Sequence, residues 1–351
     1  AGARQQQRAG GAAWTHAAGS MAEYGDYSRR LRAMAGTPGL RDVIRCATLA
    51  ANGHNTQPWR FRPTDGAIGI SPDFSRRTPV VDPDDHHLYV SLGCAAENLR
   101  IAACASWQPG ELEVAADALR FRFSAGSVRP DPLYPAIFRR QSTRSVYDGR
   151  PVDAADLDTL HRAAATPGVD LALITERRTI SQVRDLVMAG NDRQMGSPDF
   201  NRELKQWVRF NPGSAMASGD GLFSAASGNP IVPPGLGSLA YDVFVSARRE
   251  SQRYAQQIDS SPGLAVFAGA QADASHWINV GRAVQRFALA ATSLGLKCAF
   301  INQPVEVPEL RPELAALIGV PGRRPDILMR FGYAAELPFA PRRPVEAVLL
   351  A

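Results

Sequence analysis

The densest group of hydrogen-bonding side chains lies in one short run, residues 50–59 (AANGHNTQPW). An imidazole, a hydroxyl and two side-chain amides precede a proline and a large aromatic ring: His54, Asn55, Thr56, Gln57, Pro58 and Trp59. These groups offer donors and acceptors in several directions, and the proline restricts the backbone. The run suits a loop that contacts a planar heteroaromatic ligand. A helix end capped at Asn52-Gly53 and followed by a rigid turn has the same composition.

Two arginine-rich runs are suited to hold an anion. The first is Arg139-Arg140-Gln141-Ser142-Thr143-Arg144, and the second is Pro341-Arg342-Arg343-Pro344 near the end of the chain. Planar guanidinium groups with interleaved hydroxyls favour bidentate capture of a phosphate. Taken alone, the first run is as readily a solvated basic linker, and the second a charged tail between two prolines.

A third candidate, Asp84-Asp85-His86-His87, has the residue types of a metal site. Neighbouring residues on a helix point about 100° apart, so they rarely ligate one ion. We therefore predict no metal: Asp84 or Asp85 caps a helix that begins near Leu88, and one histidine lines a pocket. The four cysteines lie in apolar surroundings without a C-x-x-C pair, which favours buried thiols.

The composition excludes several classes of protein. A chain of 351 residues, 45% hydrophobic and 21% charged, is typical of a globular protein with two domains or two tightly packed halves. No run reaches 18 consecutive apolar residues, so no membrane-spanning helix is predicted. The net charge of +5 is spread over arginine doublets without a basic tail, so neither nucleic acid nor a membrane is an expected partner.

Residues 1–20 carry no core pattern. They are the remnant of an export signal, a segment added to the natural chain or a disordered arm. The compartment therefore stays open between the cytoplasm and, if the chain is exported, the bacterial periplasm.

Hydrophobic periodicity predicts a similar order of elements twice. The first series has helices near 40–47 and 88–107 and strands within 61–71, 112–116 and 119–123. The second has helices near 156–165, 181–195 and 277–296 and strands near 171–175, 264–268, 297–301 and 326–333. The run 93–99 (GCAAENL) aligns without gaps with 281–287 (GRAVQRF), which favours an internal duplication, although small-residue helices also resemble one another by chance. Their small residues predict a close approach of the two helices.

Residues 196–237 form a long stretch rich in Gly, Pro, Ser and Asn, with one expected helical segment at 200–210. Such excursions are often lids over a functional site. A segment that bridges the two halves has the same composition. Trp207 is accordingly either a lid element or a packed anchor.

Together these motifs resemble the nitroreductase superfamily. Residues 51–59 are similar to the flavin-contacting loop of its Acg-type branch, 139–144 to its phosphate grip, and 341–344 to the basic arm that closes over that phosphate. Residues 295–304 (GLKCAFINQP) resemble the strand and loop that run past the reactive N5 of the flavin. The resemblance implies a backbone donor to N5 near Asn302 or Gln303, directly after Ile301. The acidic residue and glycine usual in that loop are absent.

The resemblance implies an α+β, nitroreductase-like fold of two pseudo-repeated halves, each with a mixed sheet flanked by helices. The expected divisions are an N-terminal arm (1–37), a first half (38–135) and a second half (136–351) with a lid-like insertion (196–237) and a C-terminal arm (334–351). The amide-rich loop belongs to the first half and the other motifs to the second, while Arg29-Arg30-Leu31-Arg32 is at most a vestige of a second grip. The chain is thus expected to be a monomer, a fused pseudo-dimer with one flavin site.

The predicted function is that of an FMN-dependent oxidoreductase of nitroreductase type without a catalytic acid–base pair. It would reduce an electron-poor aromatic or quinone-like acceptor by two electrons, with NAD(P)H or another donor. The residues expected to bind FMN are His54, Asn55, Thr56, Gln57, Pro58, Trp59, Arg139, Arg140, Ser142, Arg144, Ile301, Asn302, Gln303, Arg342 and Arg343. One alternative is a flavin-storage or redox-sensing protein with a shielded FMN, and another a non-catalytic protein whose basic doublets bind phosphates.

Overall fold

Two groups of helices and strands follow one another along the chain. The computed structural model describes residues 18–34, 36–115, 118–237 and 247–351. The first group has helices α1 (Met21–Arg32), α2 (Leu40–Thr48) and α3 (His86–Ser106) and strands β1 (Trp59–Pro63), β2 (Ala67–Pro72), β3 (Gly110–Ala115) and β4 (Ala118–Phe123). In these described ranges, no helix combines the length and apolar character needed to span a membrane.

The second group is longer. Its helices are α4 (Ala154–Ala164), α5 (Arg177–Met195), α6 (Pro198–Trp207), α7 (Pro212–Ser218), α8 (Ala247–Asp259), α9 (Ala274–Ser293), α10 (Gln303–Glu306) and α11 (Arg311–Leu317). Its strands are β5 (Val169–Ile174), β6 (Val208–Arg209), β7 (Leu222–Phe223), β8 (Gly263–Gly269), β9 (Lys297–Phe300) and β10 (Ile327–Gly332). The predicted α+β class is confirmed.

Each group forms one four-stranded sheet, ordered β1-β2-β4-β3 in the first and β5-β8-β10-β9 in the second. All pairings within these sheets are antiparallel, so the prediction of mixed sheets is wrong for these strands. In the described ranges, parallel pairing to them is limited to two isolated bridges, Leu349 with Phe61 and Ser142 with Cys298. The C-terminal tail therefore returns to the first sheet, and the linker between the groups extends the second.

Helices α3 and α9 cross with their backbones in contact. A Cβ atom added at Gly93 would lie 2.0 Å from the Ile278 carbonyl oxygen, and one added at Gly281 would lie 2.0 Å from the Val90 carbonyl oxygen. Glycine within a helix costs about 1 kcal/mol relative to alanine, so tertiary packing must offset it here. The two glycines that make this contact, Gly93 and Gly281, also align with each other in sequence. The predicted close approach of the two helices is confirmed.

A buried carboxylate joins these helices beside the crossing. Glu97 on α3 is 1% exposed and accepts from Arg100 at 2.7 Å, Arg282 at 3.0 Å and Arg286 at 3.2 Å. Burial alone would raise the pKa of Glu97, but the three guanidinium groups outweigh it and hold the pKa below its ordinary value. The ionised carboxylate therefore stabilises the junction of the two groups.

Glu97→Gln is expected to lower the free energy of unfolding by about 2 kcal/mol at neutral pH, because a buried charge-assisted network loses its anion. The folded pKa lies below the unfolded one, so this stabilisation is present above the unfolded pKa and is lost as pH falls through the folded pKa. Urea denaturation of both proteins at neutral pH and at about pH 3 measures the difference. A deficit that stays the same in acid would contradict this account.

Part of the predicted N-terminal arm belongs to the fold. Residues 21–32 form α1, which starts with a capping box between Ser20 and Glu23. Tyr24 is 1% exposed, and its ring centroid lies 4.5 Å from that of Phe223. The hydroxyls of Tyr24 and Tyr27 donate to the Phe339 and Arg342 carbonyl oxygens, both at 2.6 Å. Helix α1 therefore holds the C-terminal tail, while residues 1–17 lie outside the described ranges.

The segment 196–237 contains two helices, α6 and α7, and the strand pair β6–β7 instead of one helical segment. Glu203 on α6 accepts from the backbone N–H groups of Val80 at 2.9 Å and Val81 at 3.0 Å in the first group. The Arg76 guanidinium lies 5.3 Å from the ring centroid of Trp207. These contacts favour the bridging interpretation for this part of the segment and the packed-anchor interpretation for Trp207.

Candidate functional site

A cavity of about 930 Å³ lies where the two groups meet. Its walls include Asn52, Gly53 and His54 from the first group and Asn302 and Gln303 from the second. The segment 196–237 forms one side of it, called the roof here, with three polar residues, Ser224, Ser227 and Asn229, and ten apolar ones: Phe200, Leu204, Val208, Phe210, Leu222, Pro230, Ile231, Val232, Pro233 and Leu236. A mostly apolar cleft with a few polar groups on its walls is typical of a site for a cofactor-sized molecule.

The loop before β1 is held in an unusual backbone conformation. His54, Asn55 and Gln57 have positive φ angles of 45°, 53° and 54°. Such angles are unfavourable for residues with a Cβ, so other contacts must stabilise them. The Asn52 side-chain oxygen accepts from the Gln57 N–H at 2.9 Å, and the Gln57 side-chain amide donates to the Gly219 carbonyl oxygen at 2.9 Å. The segment 196–237 thus fixes the loop.

Most of the predicted ligand-binding groups of this loop are occupied by protein partners. The Asn55 amide donates to the Gly221 and Pro341 carbonyl oxygens, both at 3.0 Å, and its oxygen accepts from Arg342 at 2.8 Å. Three further side chains are buried and line neither this cavity nor its smaller neighbour: Thr56, Pro58 and Trp59. Of residues 54–59, His54 alone lines the large cavity. The loop therefore shapes the site mainly through its backbone.

His54 is a neutral group under physiological conditions. Burial lowers the pKa of its imidazole to about 4, and the nearby Arg144 and His87 act in the same direction. One ring nitrogen of a neutral imidazole donates a hydrogen bond and the other accepts one. His54 can therefore contact a polar ligand without adding charge to the cavity.

A small pocket of about 50 Å³ shares Ala51, Asn52 and Arg144 with the large cavity, and three further arginines line the small pocket alone. They are Arg32 from α1, Arg140 from the linker and Arg342 from the C-terminal tail. Within the described part of the chain, none of the three pairs with a carboxylate. Buried guanidinium groups without an anion are costly, so this pocket is suited to an anionic ligand.

Helix α2 positions two of these arginines with the carbonyl groups at its C-terminal end. Arg140 donates to the Leu49 carbonyl oxygen at 3.0 Å. Arg342 donates to the carbonyl oxygens of Thr48 at 2.6 Å and Ala50 at 3.1 Å. Helix C-termini carry unpaired carbonyl groups and a partial negative charge, which favour cations. The helix end therefore holds both guanidinium groups in place. All five N–H groups of Arg342 have protein acceptors, whereas Arg140 keeps a buried Nε without a partner among the described residues.

The electrostatics of the pocket support this assignment of an anion site. The pKa of Arg342 is lowered to about 9, mainly by burial and also by the neighbouring positive charges of Arg140 and Arg32. Arg32 falls to a pKa of about 10, mainly through burial and also through Arg140. The buried Nε atoms of Arg32 and Arg140 have no hydrogen-bond partner. A bound anion would accept hydrogen bonds from these Nε–H groups, and its negative charge would offset the repulsion among the three guanidinium groups.

The remaining arginines of the predicted grip and arm lie in different places. Arg139 is exposed and lines neither cavity, whereas Ser142 lines the small pocket and Arg144 lines both. Arg343 lines neither cavity: it donates to the Ala347 carbonyl oxygen at 2.8 Å, and its buried Nη1 has no hydrogen-bond partner among the described residues. Of the two arginines predicted in the C-terminal arm, only Arg342 lines the small pocket.

The loop after β9 reaches the large cavity. Asn302 lines it while its side-chain oxygen accepts from the Leu328 N–H at 2.8 Å. Gln303 lines the cavity and retains a buried side-chain oxygen without a partner. A Cβ added at Gly190 would lie 2.7 Å from the Gln303 Cβ, so the glycine permits this close approach. Ile301 is 1% exposed and packs in the core of the second group instead of lining the cavity.

Sequence reasoning missed Arg32 as a residue of this pocket because it treated residues 1–37 as an arm. The Ser20-x-x-Glu23 spacing is a recognised signature of a helix start and was the signal available. A helix starting there carries Tyr24, Tyr27 and Arg32 on related faces. Helical order could thus have been predicted from the sequence, but contact with Arg140 could not.

Comparison with known proteins gives matches over most of the chain. A family model described as the nitroreductase family matches residues 137–333. A Mycobacterium tuberculosis H37Rv protein named "putative NAD(P)H nitroreductase Rv3131" is 27% identical over 335 residues, covering 88% of this chain and 90% of its own length. A second protein from that strain, "putative NAD(P)H nitroreductase acg", is 25% identical and covers 90% of this chain and 96% of its own length.

Solved structures give weaker matches. The FMN-dependent nitroreductase NfnB from Mycobacterium smegmatis, in complex with NADPH, is 13% identical with a TM-score of 0.38, covering 58% of this chain and 87% of its own. A nitroreductase with bound FMN from Desulfitobacterium hafniense is 14% identical with a TM-score of 0.39, covering 61% of this chain and 94% of its own.

Proposed function

This chain belongs to the nitroreductase family, and we propose that it is an FMN-dependent oxidoreductase that carries two electrons from NAD(P)H to a flat, electron-poor aromatic or quinone-like acceptor. The observation that carries the proposal is the pocket of Arg32, Arg140 and Arg342, which adjoins the large cavity and shares lining residues with it. A phosphate group and a planar ring system joined in one ligand match an anion pocket joined to an apolar cavity.

The residues present fit FMN. The phosphate would lie against the three guanidinium groups and the Ser142 hydroxyl, where unpaired buried Nε atoms lack a partner. The ring system would lie in the large cavity between the loop of His54 and that of Gln303, whose unpartnered oxygen can accept a hydrogen bond. The amides of Asn55 and Gln57 would support the site indirectly, since protein groups already occupy them.

When bound, FMN supplies the two-electron chemistry, and the protein supplies binding, orientation and control of water access. The neutral His54 adds hydrogen bonding without charge. The mostly apolar roof limits water at the cavity. An absorbance spectrum before and after anaerobic addition of NADPH tests the proposal: a colourless protein would overturn FMN binding, and an unbleached flavin would overturn the enzyme.

We expect one FMN per chain and a functional monomer, because in the described part of the chain the anion pocket adjoins a single cavity lined by both the loop of His54 and the loop of Gln303. Released flavin measured against protein concentration gives the ratio. Light scattering with absorbance detection gives the mass of the flavin-bearing species. Two flavins per chain, or flavin found only in a dimer, would contradict the single internal site.

A second candidate function is favoured by the roof of the cavity. Ten apolar residues of the segment 196–237 line this side of the cavity, which is suited to shielding a flavin from donors and acceptors. In that case the protein would store flavin or sense redox state with little turnover. Slow bleaching by NADPH with normal FMN affinity would favour this function over the enzyme.

Phe210→Ala is expected to leave FMN bound and to speed flavin reduction and reoxidation several-fold, because Phe210 lines the cavity from the roof. A substitution is cleaner than deleting residues 200–223, which would remove the carbonyl groups that hold Asn55 and Gln57. Stopped-flow absorbance measures both rates. Phe74→Ala, at an aromatic ring that is 49% exposed outside the cavity, is the matched control. Unchanged rates in the Phe210 variant would place shielding elsewhere.

A further inference from the structure

A buried cluster of histidines and carboxylates lies beside the large cavity. Asp82, His86 and His87 each offer one potential ligand atom, and these atoms lie within 4.8 Å of one another. His86 and Asp82 are 0% and 4% exposed, and the His87 side chain is 11% exposed. Two carboxylates of the second group stand behind them, Glu306 at the end of α10 and Asp326 just before β10.

Each histidine has one ring nitrogen next to a carboxylate and another without a partner. His86 Nε2 lies 2.9 Å from Asp326 Oδ1, while its buried Nδ1 has no hydrogen-bond partner. His87 Nδ1 lies 3.7 Å from Glu306 Oε1, while its buried Nε2 has no hydrogen-bond partner. Buried polar side-chain atoms are nearly always paired, so two orphaned ring nitrogens in one cluster point to a ligand.

We propose that this cluster binds one divalent transition-metal ion of the Zn²⁺ class, with Asp82, His86 and His87 as ligands. Histidine nitrogen and carboxylate oxygen form the donor set that Zn²⁺ commonly takes, and a fourth position is open to water or to Glu306. Asp326 acts as a positioning residue: a carboxylate on the far nitrogen of a metal-bound histidine fixes the ring and strengthens it as a ligand.

The local arrangement overcomes the separation of neighbouring residues on a helix. The rings of His86 and His87 have centroids 4.6 Å apart at the first turn of α3. Asp82, rather than the expected Asp84 or Asp85, accepts from the first free N–H groups, those of His87 at 2.9 Å and Leu88 at 3.0 Å. Asp84 and Asp85 instead pair with Arg324 and Arg77. A carboxylate oxygen can accept a helix N–H and still use its second lone pair for an ion.

The charges around the cluster favour a cation. Asp82, Glu306 and Asp326 face it with oxygen atoms, whereas the nearby Arg324 pairs with Asp84 and lies 5.5 Å from the ring centroid of Trp277. His87 Nε2 is buried without a hydrogen-bond partner among the described residues, so it is available as a ligand atom. Arg311 lies near His86 and opposes the cation, but the carboxylates outnumber it.

An ion here would join the two groups of the fold. Asp82, His86 and His87 belong to the first group, and Glu306 and Asp326 to the second. His87 and Glu306 also line the large cavity, so the ion would fix one of its walls. The role is structural and is independent of whether FMN occupies that cavity.

The test uses the full chain as purified, stripped with a chelator, desalted and titrated with Zn²⁺. We expect one tightly retained Zn²⁺ per chain by elemental mass spectrometry, together with a higher unfolding temperature. His86→Asn and His87→Gln should each abolish stoichiometric retention, and Asp326→Asn should weaken Zn²⁺ about ten- to a hundredfold. Circular dichroism checks folding; if one histidine variant does not fold, the other carries the test.

The matched control is His276→Asn, at a partly exposed His–Asp pair in the first turn of α9, where His276 Nδ1 lies 2.8 Å from Asp273. It should leave Zn²⁺ binding unchanged. Replacement by Co²⁺ should give visible ligand-field absorption without the thiolate charge-transfer bands of a cysteine site. A stripped wild type that retains no Zn²⁺, or folded His86 and His87 variants that retain as much as the wild type, would overturn the proposal.

Discussion

Arg342→Ala is expected to weaken FMN binding by about ten- to a hundredfold while changing riboflavin binding far less. Arg342 is 4% exposed and shares the small pocket with Arg32 and Arg140. All five of its N–H groups have protein acceptors, so it would act on the phosphate through its charge. Two unit charges about 6 Å apart interact by about 3 kcal/mol at an effective dielectric constant of about 20, and a ten- to hundredfold change in affinity is about 1.4–2.7 kcal/mol. Riboflavin has no phosphate, so it reports on the ring site alone. Fluorescence titration of the stripped protein with both ligands gives the two dissociation constants.

Arg343→Ala is the matched control for this prediction. It removes the neighbouring arginine, whose guanidinium donates to Ala347 outside the pocket. The variant should bind FMN like the wild type. Arg342 also holds the end of α2, so Arg32→Ala gives a second test: among the described residues, its hydrogen bonds go to Ser28, and its guanidinium lies over the Phe339 ring. Equal losses for FMN and riboflavin in both pocket variants would show that these arginines act through folding.

The difference between Arg342 and Arg343 shows what the sequence could not decide. Both residues lie in one Pro-Arg-Arg-Pro run, and neighbouring side chains of an extended segment point to opposite sides. Which side faces the pocket depends on α1, whose Tyr27 hydroxyl donates to the Arg342 carbonyl oxygen at 2.6 Å. Tyr27 and Arg342 are 315 positions apart in the sequence, so no local sequence pattern could predict their contact.

The loop of His54 gives a similar lesson. Its residue types predicted a loop at a ligand site, and His54 does line the cavity. The same pattern could not show that the side-chain amides of Asn55 and Gln57 would donate hydrogen bonds to the carbonyl oxygens of Gly221 and Gly219, more than 150 positions away. Side-chain amides look alike in sequence whether they face a ligand or a backbone. Their roles in FMN binding stay predictions.

Family-level features were easier to predict because they depend on several motifs in order. The nitroreductase resemblance is confirmed by the family match over residues 137–333, and the acg proteins among the relatives confirm its Acg-type character. The order of helices and strands also followed from hydrophobic periodicity. Strand direction did not, since pairing in a sheet is a tertiary property that a single strand's sequence does not record.

The second large effect is expected at the crossing of α3 and α9, where Gly93→Val should destabilise the fold by about 3 kcal/mol or more. A Cβ at Gly93 would lie 2.0 Å from the Ile278 carbonyl oxygen and 3.0 Å from the Gly281 Cα atom. Both atoms belong to the backbone, so a change of side-chain rotamer cannot relieve the clash and the helices must move apart. Thermal and urea unfolding measure the loss.

Gly25→Ala is the matched control, at a helical glycine of α1 where a Cβ would meet only the Arg29 side chain at 3.5 Å. It should stabilise the protein by about 0.5–1 kcal/mol, because alanine is the better helix former.

Gly281→Val should repeat the Gly93 result, since its Cβ would lie 2.0 Å from the Val90 carbonyl oxygen. Because the crossing joins the two groups that enclose the cavity, both crossing variants should also lose FMN. A Gly93 variant as stable as the wild type would show that the helices can separate at little cost, and the close crossing would then not hold the two groups together.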